Sequence, residues 1–116
     1  MMAEECLFCK IWAKEAPAKE VHRGDDVLAF EDIRPVAPVH ILVIPKDHIP
    51  TVKDLKPEQA PLLFRMLDLA NQVARDRGIS RDGYRVVINQ GPQAGQSVYH
   101  LHLHVLGGRA MHWPPG

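Results

Sequence analysis

The chain has 116 residues, and its 14 lysines and arginines balance 14 aspartates and glutamates, which leaves no broad basic field for nucleic acid or an anionic membrane surface. That length suits a single domain spanning 1–116, no run approaches the roughly 20 apolar residues that cross a bilayer, and the opening MMAEECLFCK lacks an apolar signal core, so a cytoplasmic protein is expected. In that compartment Cys6 and Cys9 read as free thiols or metal ligands, not as a disulfide staple.

Taken in chain order, LFCKIWAK (7–14) predicts a short helix, and PAKEVHRGDDVLAFEDI predicts two strands that turn at Gly24-Asp25-Asp26. HILVIP (40–45), an apolar run bounded by prolines, predicts a buried central strand. Between Pro57 and Arg77, Leu62, Leu63, Met66, Leu69, Ala70, Val73 and Ala74 recur at three and four, the period of an amphipathic helix. Gly78 ends it, and Pro61 marks its true start. Asp82-Gly83 turns into the strand YRVVIN (84–89), followed by the glycine-rich QGPQAGQS and a last strand within SVYHLHLHVLGG (97–108). The sum is an α+β domain, an antiparallel sheet with one long helix and a short N-terminal helix.

The last segment raises a chemical question. Strand side chains alternate, so His100, His102 and His104 are expected on one face while Leu101, Leu103 and Val105 face a core. Three neighbouring imidazoles must each find a partner for their nitrogens. Two readings compete: a metal site, since alternate histidines can donate several nitrogens to zinc, or a nucleophilic imidazole with neighbours that orient it and move protons. Gly91, Gly95 and Ser97 just upstream favour the second, because such a loop can turn backbone N–H groups toward phosphate oxygens.

QSVYHLHLHVLGGR, FEDIRPVAPVHILVIPKDHI and the closing MHWPPG resemble the histidine-triad (HIT) family, in its Hint branch of purine nucleoside phosphoramidases, over Phe8 to Gly116. The resemblance implies a homodimer with a HIT-like fold. It also implies hydrolysis of purine nucleoside 5′-phosphoramidates of AMP or GMP type, with no cofactor for catalysis. His102 then takes the role of nucleophile, His104 and His40 surround the phosphate, and Ser97 helps protonate the departing amine. Asn89, Gly95 and Val98 match the phosphate-side wall, Asp32 the ribose carboxylate, and Phe8, Ile11, Phe30 and Ile33 the purine slot. The tail 107–116, carrying Trp113, is expected to be docked and to reach the partner's nucleotide site. Glu31 and Arg34 depart from many relatives beside Asp32, which bears on substrate preference.

Cys6-x-x-Cys9 is a two-ligand hook of the kind that grips zinc. It resembles the cysteines of other HIT branches, which implies a structural zinc completed by His48 and His100. Two other readings stay open from the sequence: a nucleotide-binding regulatory or scaffolding protein with incidental hydrolysis, and a purely metal-binding module.

Overall fold

The structure, a computed structural model, describes residues 5–116. Strands β1 (Glu20–Arg23), β2 (Val27–Glu31), β3 (Val39–Pro45), β4 (Tyr84–Val87) and β5 (Leu103–Gly107) form an antiparallel sheet in the order β1-β2-β3-β5-β4. Helix α1 (Leu7–Trp12) lies against one face and helix α2 (Ala60–Asp76) against the other. Among the described residues no helix is long and apolar enough to cross a membrane.

Alternation sorts the sheet into two cores. On β3, Ile41 and Val43 join Leu103 and Val105 of β5 beneath α2, which presents Leu62, Met66, Leu69, Ala70, Val73 and Ala74. The opposite face carries Leu28, Phe30, Leu42 and Ile44 beneath Phe8 and Ile11 of α1. A six-residue helix cannot stand alone, so α1 depends on those two buried side chains and on its cap, where Cys6 Sγ accepts the Cys9 amide at 3.3 Å. Pro61 does sit in the first turn of α2, preceded by a single 3-10 turn at Pro57–Gln59. At the other end, Gly78 (φ +74) donates to Arg75 O and Ile79 donates to Ala74 O, a Schellman closure that lays Ile79 into the core. A Cβ on Gly107 would come within 2.5 Å of Ile79 Cδ1, so a side chain there would force Ile79 to shift in the core.

One expectation needs correction. The ladder of the last segment begins at Leu103, and His100 and His102 precede it in irregular chain. The reason is local. The His100 carbonyl accepts from the His102 ring at 2.8 Å and is taken from the ladder, while the Leu101 amide donates to Ile49 O, beyond the end of β3, at 2.6 Å. Helix α1 and strand β4 are also shorter than predicted, ending at Trp12 and Val87.

Candidate active site and metal centre

The α1-side face of the sheet gathers the histidines. His40 pairs with Leu106 and His104 with Leu42, so the two rings are diagonal neighbours across β3 and β5, with centroids 5.2 Å apart. His102 stands next in line, 5.0 Å from His104 and 61° to it.

Main-chain partners fix which nitrogen of each ring carries hydrogen. A carbonyl only accepts, so His102 Nδ1, 2.8 Å from His100 O, carries its proton and leaves the Nε2 lone pair free. An amide only donates, so His40 Nδ1 accepts from Val36 N–H at 3.1 Å and the His40 proton sits on Nε2. That Nε2–H points at His104 Nδ1 (2.9 Å) and lies 3.3 Å from Asp32 Oδ2. His104 accepts at Nδ1 and therefore presents an Nε2–H donor. Asp32, His40 and His104 also bring three potential ligand atoms together, but the Val36 amide makes His40 a donor there, which suits a proton relay and not a chelate.

Burial holds these rings neutral. It pushes the His104 imidazole down to about 4, with His102 and His40 adding to the effect and Asp32 opposing it, and it lowers His102 and His40 as well. Histidine in the unfolded chain titrates near 6.5. The native state therefore resists protons that the unfolded state accepts, so this contribution to stability is complete above about pH 6.5 and declines as pH falls toward 4. The urea midpoint is expected to hold steady between pH 8 and 7 and to fall by pH 5, with a shallower fall in His104→Gln. A midpoint with the same pH dependence in both proteins would reject this.

The second cluster lies at the N-terminal end of the same segment. Cys6 Sγ is 3.3 Å from His100 Nδ1, and Cys9 Sγ is 3.3 Å from His48 Nδ1 and 3.5 Å from His100 Nδ1. Ligand bonds of about 2.3 Å for sulfur and 2.0–2.1 Å for nitrogen imply S···N edges near 3.6 Å in a tetrahedron, so this donor set fits zinc closely. All four donor atoms lie within 4.8 Å of one another. His100 Nε2 is 2.8 Å from Pro45 O, to which it donates, and this turns the Nδ1 lone pair inward, the outer support typical of metal-binding histidines. Burial pushes the Cys9 thiol up to about 11, with Cys6 adding to the shift, so only a cation would make it a thiolate at neutral pH.

Phe8 belongs to both clusters. Its ring meets Phe30 edge-on at 5.5 Å, His102 at 5.1 Å and His100 at 6.0 Å. Phe8, Ile11 and Phe30 thus come together as expected, whereas Ile33 is 93 % exposed on the loop after β2. Asp32 sits at the rim, its Oδ1 accepting the Arg34 amide at 2.8 Å. Asn89 follows β4 half-buried, Gly95 (φ +87) closes the glycine-rich turn, Ser97 is exposed, and Val98 packs beside the α1 core. Within this one chain, Arg85 Nη2 holds the His112 carbonyl at 2.9 Å and Trp113 is 82 % exposed. Sequence reasoning missed the Val36 amide and Gln96, a buried side chain in the glycine-rich loop; a long amide among glycines and small residues was the available signal for the latter.

A five-stranded antiparallel sheet with a helix on each face and histidines aligned across β3 and β5 defines a histidine-triad domain. The HIT domain model matches residues 13–111, and the chain belongs to the HIT family. It is 48 % identical over 110 residues to the purine nucleoside phosphoramidase of Escherichia coli, covering 95 % of this chain and 92 % of that protein. A HIT family hydrolase from Legionella pneumophila is similar with TM-score 0.94 and 51 % identity, over 96 % of this chain and 99 % of the other. A zinc-bound histidine triad family protein from Mycobacterium smegmatis matches with TM-score 0.79 and 34 % identity, over 93 % of this chain and 78 % of the other.

Proposed function

We propose that this protein hydrolyses purine nucleoside 5′-phosphoramidates, such as adenosine 5′-phosphoramidate, through a nucleotidyl intermediate on His102. The observation that carries the reading is the His102 Nδ1–H bond to the His100 carbonyl, which leaves Nε2 as an unprotonated nucleophile. The relative in Escherichia coli that bears the phosphoramidase name supports the substrate class.

In the first step His102 Nε2 bonds to the α-phosphorus as the P–N bond to the amine breaks. The departing nitrogen takes a proton through the Ser97 hydroxyl, which recovers one from solvent. His104 Nε2–H donates to a phosphoryl oxygen, with His40 behind it in the relay. In the second step water attacks phosphorus, the His102–phosphorus bond breaks, and the nucleoside monophosphate leaves with its oxygen from water. Asp32 accepts the ribose hydroxyls. Phe8, Ile11 and Phe30 wall the purine with Ile33 at its rim, and Asn89, Gly95 and Val98 line the phosphate side. Adenosine 5′-phosphoramidate supplied to the purified protein should yield AMP and ammonia; absence of both products would overturn the reading.

The reading extends to a homodimer, a single domain over 1–116 and a cytoplasmic site. Two unpaired thiols suit a reducing compartment, and β4 is an edge strand whose outer side is open to a second copy. Exposed Trp113 is the group that a partner would cover, beside its own leaving-group site. Truncation after Ala110 is then expected to change the relative rates on small and bulky amine leaving groups by about tenfold. The melting midpoint should move by no more than about 2 °C. Identical leaving-group profiles for the truncated and full-length proteins would remove the tail from the site.

Cys6, Cys9, His48 and His100 are proposed to hold one structural zinc. Four protein donors leave no open position, so the ion would shape the site and take no part in the reaction.

A further inference from the structure

The side chain of Gln96 is 7 % exposed and spends its amide on three separate stretches of chain. Oε1 accepts the Gly91 N–H at 3.0 Å, while Nε2 donates to Pro50 O at 2.9 Å and to Val98 O at 3.1 Å. The Gln96 backbone N–H also donates to Gly91 O at 3.1 Å, so residues 91 and 96 are clasped in both directions. Gly91 has φ +83, a conformation that the clasp holds and that side-chain-bearing residues rarely adopt.

The geometry has a local consequence. Pro50 lies two residues beyond His48, and the neighbouring Ile49 carbonyl accepts the Leu101 amide at 2.6 Å. The Gln96 amide therefore pins the glycine-rich loop to the same segment that fixes the start of the histidine run. Its bond to Val98 O reaches across Ser97, which is exposed between them. Among the described residues no other side chain bonds this loop to the 48–50 segment; Gln90 Oε1 accepts from the Lys53 amide further on. Without the amide, the Gly91 N–H and the two carbonyls lose their partner and the turn that presents Ser97 loses its brace.

We propose that Gln96 is a positioning residue for amine departure, which acts by holding the Ser97 hydroxyl at the leaving-group side of the phosphorus. The inference rests on the phosphoramidase reading and on Ser97 as the group that delivers the proton. It separates two kinds of substrate. An alkylamine cannot depart without a proton, whereas an arylamine with an electron-poor ring departs with little help.

The test is a double-mutant cycle with two substrates, an adenosine 5′-phosphoramidate of an alkylamine and one of a nitro-substituted arylamine. Gln96→Met fills the space without hydrogen-bonding through an amide. It should lower kcat/KM about 30-fold for the alkylamine and no more than about 3-fold for the arylamine. AMP affinity should stay within about 3-fold, since the amide is committed to main-chain groups of Gly91, Pro50 and Val98. In a Ser97→Ala background the same change should add less than about 2-fold on the alkylamine, because the group it positions is already gone. If Gln96→Met does not fold, Gln96→Glu, which keeps the acceptor for Gly91 N–H and loses the donors, carries the same cycle. Equal losses in both backgrounds, or equal losses on both substrates, would overturn the proposal and make Gln96 a staple of the loop alone. A wild type inert on both substrates would instead overturn the phosphoramidase reading.

Discussion

His102→Ala is expected to lower turnover of adenosine 5′-phosphoramidate by at least about four orders of magnitude, the scale seen when a covalent nucleophile is deleted. Affinity for AMP should remain within about tenfold, because the proposed ribose contact at Asp32 and the proposed purine slot of Phe8, Ile11 and Phe30 survive. The loss has a geometric basis. His104 cannot replace His102 as nucleophile: its Nδ1 faces the Nε2–H of His40 at 2.9 Å, and its own Nε2 carries the proton. Rapid quenching of the wild type with substrate labelled in the nucleotide should place the label on His102. Activity above a small fraction of wild type in His102→Ala would reject the covalent route, and label on another histidine would move the nucleophile.

The second large effect is expected at the cysteine cluster. Protein purified without chelator should carry about one zinc per chain, and Cys9→Ser should carry well under half of that. Chelation should lower the melting midpoint of the wild type by about 10 °C and leave Cys9→Ser unmoved, as expected when an ion binds the native state and not the unfolded chain. The damage should spread to the reaction. Cys6 caps α1 and Cys9 lies within it, and α1 carries Phe8 onto the His102 ring at 5.1 Å. KM for the nucleotide is therefore expected to rise more than kcat falls. Freely titratable thiols, no zinc by elemental analysis and a midpoint indifferent to chelator would reject the site.

The sequence and structure agree most where a periodic pattern meets a clear stop. The apolar spacing from Leu62 to Ala74, with Gly78 after it, placed α2 within a few residues, because burial and the Schellman closure are both written locally. The apolar run HILVIP likewise placed β3, although apolar residues on both its faces left open which side meets α2. The alternation of His100, His102 and His104 gave their common face correctly, with Leu101, Leu103 and Val105 in the core beneath α2, but overextended the strand. It is blind to a ring that captures the carbonyl two residues before it and removes that carbonyl from the ladder. The four candidate zinc ligands span residues 6 to 100, and only their resemblance to other cysteine-bearing sequences joined them; the 3.3–3.5 Å S···N separations are a product of tertiary packing. Val36 was illegible for another reason: it contributes a main-chain amide, which every residue except proline possesses.

That last point reaches further than the site itself. The protonation pattern of the histidine row is set at its two ends by an amide at position 36 and a carbonyl at position 100. Neither group belongs to a side chain. Among the twenty amino acids only proline at 36 deletes the first, and no substitution deletes the second. The division of labour among the imidazoles, one with a bare nitrogen and one with an N–H facing the same space, is thus inherited through the path of the backbone. Mutational drift at those two positions can alter packing or metal binding while the hydrogen pattern persists, so a lineage can explore new purines and new amines around a reaction centre whose polarity it does not have to reinvent.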